Sequence, residues 1–121
     1  MVGLVVVSHS AALAEAALGL ALEMVAGEPP RVLLAAGMDD GSFGTDAARV
    51  ASAIEEANDG AGVVVITDLG SAVLSAEMAV EFLPDPDTPV RIVPAPFVEG
   101  LLAAVGAAAG GGGLDEVAAA T

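Results

Sequence analysis

Residues 2–16 read VGLVVVSHSAALAEA. Leu4 to Val7, following Val2, form an apolar run rich in β-branched residues, which predicts a strand. From Ala11 the chain becomes alanine-rich and reads as a helix. Only Ser8, His9 and Ser10 stand between the two, and His9 is the single histidine of the chain. An apolar run without in/out alternation fits a strand covered on both faces, and so a parallel sheet layered with helices.

The same pattern recurs along the chain. Strands are expected at Val2–Val7, Arg31–Ala35, Gly62–Thr67 and Pro89–Val93, and helices at Ala11–Ala26, Thr45–Asn58, Ala72–Leu83 and Phe97–Ala109. Gly27-Glu28-Pro29-Pro30 stops the first helix, Thr45 is the expected cap of the second with Asp46 in its first turn, and Pro84-Asp85-Pro86-Asp87 closes the third. After Gly110 to Gly113 the tail LDEVAAAT reads as one short helix, docked or frayed. Right-handed crossovers then favour a small doubly wound α/β sheet, mostly parallel, of strand order 2-1-3-4 with helices on both faces. In such sheets ligands gather at the carboxyl ends of the strands where the winding reverses, here between strands 1 and 3. That selects the loop Ser8-His9-Ser10 and the loop Asp68-Leu69-Gly70-Ser71.

Composition bounds the function. The 121 residues are expected to form one domain, and 55% hydrophobic content supplies an ample core. Seventeen acidic residues against three basic ones give a net charge of -14, which repels nucleic acid and anionic membrane surfaces, so proteins or small molecules are the expected partners. There is no cysteine, hence no disulfide and no thiolate metal site. The apolar stretch Ala11–Val25 carries Glu15 and Glu23, and the first basic residue is Arg31, so a signal peptide's positive start is missing. Phe97–Gly110 is too short to span a bilayer, and a cytoplasmic protein is the expectation.

A histidine at the switch point suggests phosphoryl transfer. A free imidazole titrates near ~6.5, so its neutral, nucleophilic form is abundant at neutral pH. A carboxylate bonded to one ring nitrogen fixes the tautomer and stabilises the charge that develops as the other nitrogen attacks. Asp68 is the candidate, with a plain helix cap as its alternative role. The transferred group would sit over the start of the first helix, near Ser8, Ser10 and the Ala11 amide, with Gly70 and Ser71 as a second set of donors. In AAGMDDGSFGTD (35–46), Gly37, Gly41, Gly44 and Thr45 form a turn that could add amides to the cleft. With no lysine, a Walker-type nucleotide loop cannot be built. Asp39-Asp40 and Glu55-Glu56 read as solvated faces without histidines to complete a metal site, and Met24, Met38 and Met78 read as packing.

The strand running into SHS (8–10), AAGMDDGSFGTD (35–46), TDLGSAVLSAE (67–77) and APFVEGLLAAV (95–105) together resemble the mannose-type EIIA domains of the phosphotransferase subunits of bacterial dihydroxyacetone kinases. The resemblance implies a homodimeric α/β domain phosphorylated transiently at His9, with Asp68 as its carboxylate partner. It implies that phosphoenolpyruvate supplies the phosphoryl group through Enzyme I and HPr. The acceptor is then ADP held in the DhaL subunit, while DhaK binds dihydroxyacetone. On that reading the chain carries no cofactor or metal, the intermediate is a covalent phosphohistidine, and HPr is a separate protein. The alternatives are the EIIA component of a mannose-family sugar permease, which serves an EIIB protein, a docking module without catalysis, and a small-molecule sensor.

Overall fold

Four strands form one sheet in the computed structural model, which describes residues 1–121: β1 (Gly3–Ser8), β2 (Val32–Ala36), β3 (Val63–Thr67) and β4 (Val90–Val93). Their order is β2-β1-β3-β4, and every pairing is parallel. The helices between and after them are α1 (Ala11–Glu23), α2 (Ala47–Ala57), α3 (Gly70–Glu81), α4 (Phe97–Ala109) and α5 (Leu114–Ala120). The expected topology holds, with the whole sheet rather than most of it parallel.

The apolar runs are explained by two cores, one on each face. Val2, Leu4 and Val6 point to the layer built by α1, α4 and α5, where Ala14, Ala17, Leu101, Ala104, Val105 and Val117 meet them. Val5 and Val7 point to the layer built by α2 and α3, against Val50, Ile54, Ala72 and Ala76. Leu4 to Val7 are fully buried, at about 1.5–3 kcal/mol for each such side chain removed from water, so β1 anchors both layers. The alanines are the complement of this arrangement, because small side chains on α1 and α3 let those helices lie close on the sheet. Gly3 marks the tightest approach: a Cβ there would fall on the carbonyl oxygen of Ala57 at the end of α2.

Element ends differ from the sequence expectation in specific ways. α1 ends at Glu23 rather than Ala26, and α3 begins at Gly70, two residues before Ala72. The cap of α2 is Asp46, whose carboxylate accepts the Ala48 amide at 2.9 Å, and not Thr45. The tail helix α5 is docked, with Val117 fully buried and Leu114 packed against Gly62. Met24, Met38 and Met78, expected as packing, are all exposed, Met38 while touching Gly44. No helix is long and apolar enough to cross a membrane.

Candidate phosphoryl-transfer site

The register of the two central strands creates the site. Val7 of β1 lies beside Thr67 of β3, and the Asp68 amide donates to the Val7 carbonyl at 3.1 Å, so the residues that follow each strand emerge side by side. His9 and Asp68, 59 positions apart in sequence, meet there.

Asp68 accepts three hydrogen bonds, each 3.0 Å long. Oδ1 takes the His9 ring at Nδ1, while Oδ2 takes the His9 amide and the Ser8 hydroxyl. It is not a helix cap, because the cap residue of α3 is Leu69 and no side chain closes that end. The Asp68 side chain is 8% exposed and that of His9 is 25% exposed. Burial pushes the Asp68 carboxyl up, but the bonds from the His9 amide, the His9 ring and Ser8 outweigh it and hold the carboxyl below its ordinary value. An ionised carboxylate only accepts, so Nδ1 carries the ring proton in the neutral imidazole and the lone pair stands on Nε2. Ser71 Oγ lies 2.8 Å from Nε2 and is its donor. The nitrogen that faces outward is therefore the one with the free electron pair.

The remaining expected site residues divide by where they point. Ser8 is fully buried, and its single hydroxyl proton is shared between Asp68 and the Ser10 carbonyl, each at 3.0 Å, while its oxygen accepts the Ser10 amide. The Ser10 hydroxyl caps α1 by accepting the Leu13 amide at 3.1 Å. Neither serine hydroxyl is directed at the outer nitrogen. Ala11 opens α1 and Gly70 opens α3, where the first amides of a helix lack intrahelical partners and the dipole favours an anion.

The loop after β2 braces this centre from the side. The Gly37 amide donates to the Ser8 carbonyl at 3.0 Å and the Gly44 amide to the His9 carbonyl at 2.9 Å. Gly37 has φ +69° and a Cβ there would meet the Ala11 amide nitrogen at 3.3 Å, so both conformation and contact call for glycine. The Gly41 amide closes its own turn onto the Met38 carbonyl at 2.9 Å, and Thr45 turns its hydroxyl to Ser75 of α3 at 2.6 Å. Sequence reasoning missed Ser75 and Arg49. The Arg49 guanidinium donates to the Gly37 carbonyl at 2.7 Å. Arg31 and Arg91 bond elsewhere, to the Glu56 carbonyl and to Asp115. No group of three or more metal-ligating side chains is present.

A carboxylate-held histidine thus stands between two helix N-termini at the carboxyl edge of a 2-1-3-4 sheet, a place that favours an anionic group. The chain belongs to the EIIA-man family, described as the PTS system fructose IIA component, whose family model matches residues 3–118. Within it, the chain is 47% identical over 120 residues to the PEP-dependent dihydroxyacetone kinase phosphoryl donor subunit DhaM of Escherichia coli strain K12, covering 97% of this chain and 25% of that protein. It thus spans about a quarter of that relative's length. The DhaM of dihydroxyacetone kinase 2 from Listeria innocua is 36% identical over 108 residues, covering 86% of this chain and 83% of that one. Among solved structures, EF1359, a protein of unknown function, superposes with a TM-score of 0.79 at 32% identity, covering 96% of this chain and 89% of that chain. The family and these relatives support a phosphocarrier role.

Proposed function

We propose that the chain is a histidine phosphocarrier of a dihydroxyacetone kinase, which accepts a phosphoryl group from phospho-HPr on His9 Nε2 and passes it to ADP held in a DhaL-type subunit. The observation that carries this reading is the polarity of the imidazole: Nδ1 is held by Asp68 and Nε2 faces outward beside Ser71.

In the first transfer the Nε2 lone pair attacks phosphorus, and the donor's N–P bond breaks with its electron pair returning to the donor imidazole. The proton stays on Nδ1, and Asp68 at 3.0 Å stabilises the positive ring that results. The Ser71 hydroxyl, freed from Nε2, turns to a phosphoryl oxygen, joined by the amides of Ala11, Gly70 and Ser71. In the second transfer an oxygen of the terminal ADP phosphate attacks phosphorus, the Nε2–P bond breaks, and neutral imidazole returns. Hydroxyl and amide donors hold the group without the fixed cationic clamp that would oppose its release.

Protein partners fit the surface around the histidine. Leu13, Phe43, Leu69 and Leu74 are exposed on the elements that flank it, with Phe43 82% exposed. DhaK would supply dihydroxyacetone to the acceptor complex. The chain acts as a homodimer on this reading, and a dimer mass by light scattering at micromolar concentration is expected, a monomer counting against it. The deciding experiment incubates the chain with phosphoenolpyruvate, Enzyme I and HPr, then adds DhaL with ADP. One phosphoryl group per chain, lost on addition of DhaL–ADP with formation of ATP, is expected. Retention with DhaL but transfer to an EIIB protein would select a sugar permease instead.

A further inference from the structure

The hydroxyl pair Thr45–Ser75 is used by none of the steps above, yet it closes a ring of contacts around His9. Ser75 stands one turn after Ser71 on α3, so both project from the same side of that helix. Ser71 meets His9 Nε2 at 2.8 Å, and Ser75 meets Thr45 Oγ1 at 2.6 Å. Thr45 is bonded through the chain to Gly44, whose amide donates to the His9 carbonyl at 2.9 Å. The ring therefore runs from the imidazole through α3 and back to the main chain of the same histidine.

The start of α3 needs such an anchor. Its cap, Leu69, offers no side-chain bond, and its first residue is Gly70, with nothing within 4 Å of the position a Cβ would take. An uncapped first turn opening on glycine frays readily, and Ser71 sits in that turn. The tether at Ser75 holds the helix one turn further in, where the geometry is already regular. At its other end the 37–45 loop is held by Arg49, through the Gly37 carbonyl.

From this arrangement we infer that Thr45 and Ser75 are positioning residues that hold Ser71 beside the nucleophilic nitrogen of His9, at the place from which its hydroxyl turns to the incoming phosphoryl oxygen. The inference rests on the phosphocarrier reading for its kinetic consequence but not for its geometry. Removing either hydroxyl lets Ser71 shift from that place, weakens its bond to the phosphoryl oxygen during transfer and slows phosphorylation of His9 by about 3- to 10-fold, the rate equivalent of one neutral hydrogen bond. The Thr45→Ser variant keeps the hydroxyl and the wild-type rate.

Because His9 is the only histidine, 15N labelling of histidine gives one imidazole to follow by NMR. The Nε2 resonance of the chain should move in Ser71→Ala, move the same way by a fraction in Ser75→Ala and Thr45→Val, and stay in place in Thr45→Ser. Single-turnover phosphorylation by phospho-HPr should slow in the same order, and Ser75→Ala should add nothing once Ser71 is alanine. Two results would overturn the inference: an Nε2 resonance unmoved by Ser75→Ala and Thr45→Val, or rate effects of Ser71→Ala and Ser75→Ala that multiply in full. A wild-type chain that accepts no phosphoryl group would refute the phosphocarrier reading, while the resonance still decides the tether.

Discussion

Replacing Asp68 by asparagine changes one atom and should disable the site through the tautomer of His9. Oδ2 of Asp68 faces two donors, the His9 amide and the Ser8 hydroxyl, and Oδ1 faces the ring at Nδ1. An asparagine must put its oxygen where the two donors are, since turning the NH2 group there would set donors against donors. Its NH2 then points at Nδ1, which must become an acceptor, and the ring proton moves to Nε2. A protonated Nε2 has no lone pair for phosphorus and would donate to Ser71 instead. The same kind of tautomer inversion lowers turnover by roughly 10⁴-fold in a serine hydrolase, and about 10³–10⁴ is the expected loss here. The fold should survive, because the oxygen keeps two of the three bonds; the loss of a charged acceptor costs about 1–3 kcal/mol. The assay is rapid-quench single turnover with phospho-HPr, with thermal melting of both proteins beside it. A folded Asp68→Asn protein phosphorylated within tenfold of the wild-type rate would refute the role assigned to the carboxylate.

Three further outcomes are expected, one from Asp68 and two from contacts elsewhere in the fold. Asp68 has its carboxyl held below the ordinary range in the folded chain, so its stabilising contribution is fully present above the unfolded value near ~3.9 and is lost as pH falls through the folded value. The stability gap between wild type and Asp68→Ala, measured by denaturant titration, should therefore hold above about pH 4 and shrink below it, and a gap that shrank only above that pH would contradict this sign. Asp46→Ala should destabilise the chain by about 1 kcal/mol in the same titration, as loss of a helix cap does, and an unchanged midpoint would place the cap elsewhere. Gly3→Ala should lower the melting temperature sharply, because its Cβ would overlap the Ala57 carbonyl; a wild-type melt would mean that α2 can move away.

The sheet was legible because its strands are buried on both faces: Leu4 to Val7 read as one apolar block only because α1 and α2 cover opposite sides. Crossover handedness left a few strand orders, the commonest of which, 2-1-3-4, is the one observed, and that order pairs the loops that carry His9 and Asp68. Side-chain direction was not legible. Ser8 and Ser10 flank the histidine symmetrically in sequence, yet one is buried under Asp68 and the other caps α1, because the strand's pleat turns Ser8 inward while Ser10 already belongs to the helix. Thr45 and Asp46 are both good caps, and only the tertiary partner Ser75, one of the two serines of α3, draws the threonine away. Arg49 acts on a backbone carbonyl, for which no sequence signal exists. The exposed Met24 and Met78 show the limit of reading every apolar residue as core.

The central claim is that His9 attacks through Nε2 while Asp68 holds Nδ1. It is tested most directly by heteronuclear NMR of the phosphorylated chain labelled with 15N-histidine, which reads which ring nitrogen is coupled to phosphorus. The account predicts a single phosphohistidine, acid-labile and base-stable, with phosphorus on Nε2 and the proton retained on Nδ1. Phosphorus on Nδ1, or a phosphoryl group still acquired by His9→Ala, would contradict it.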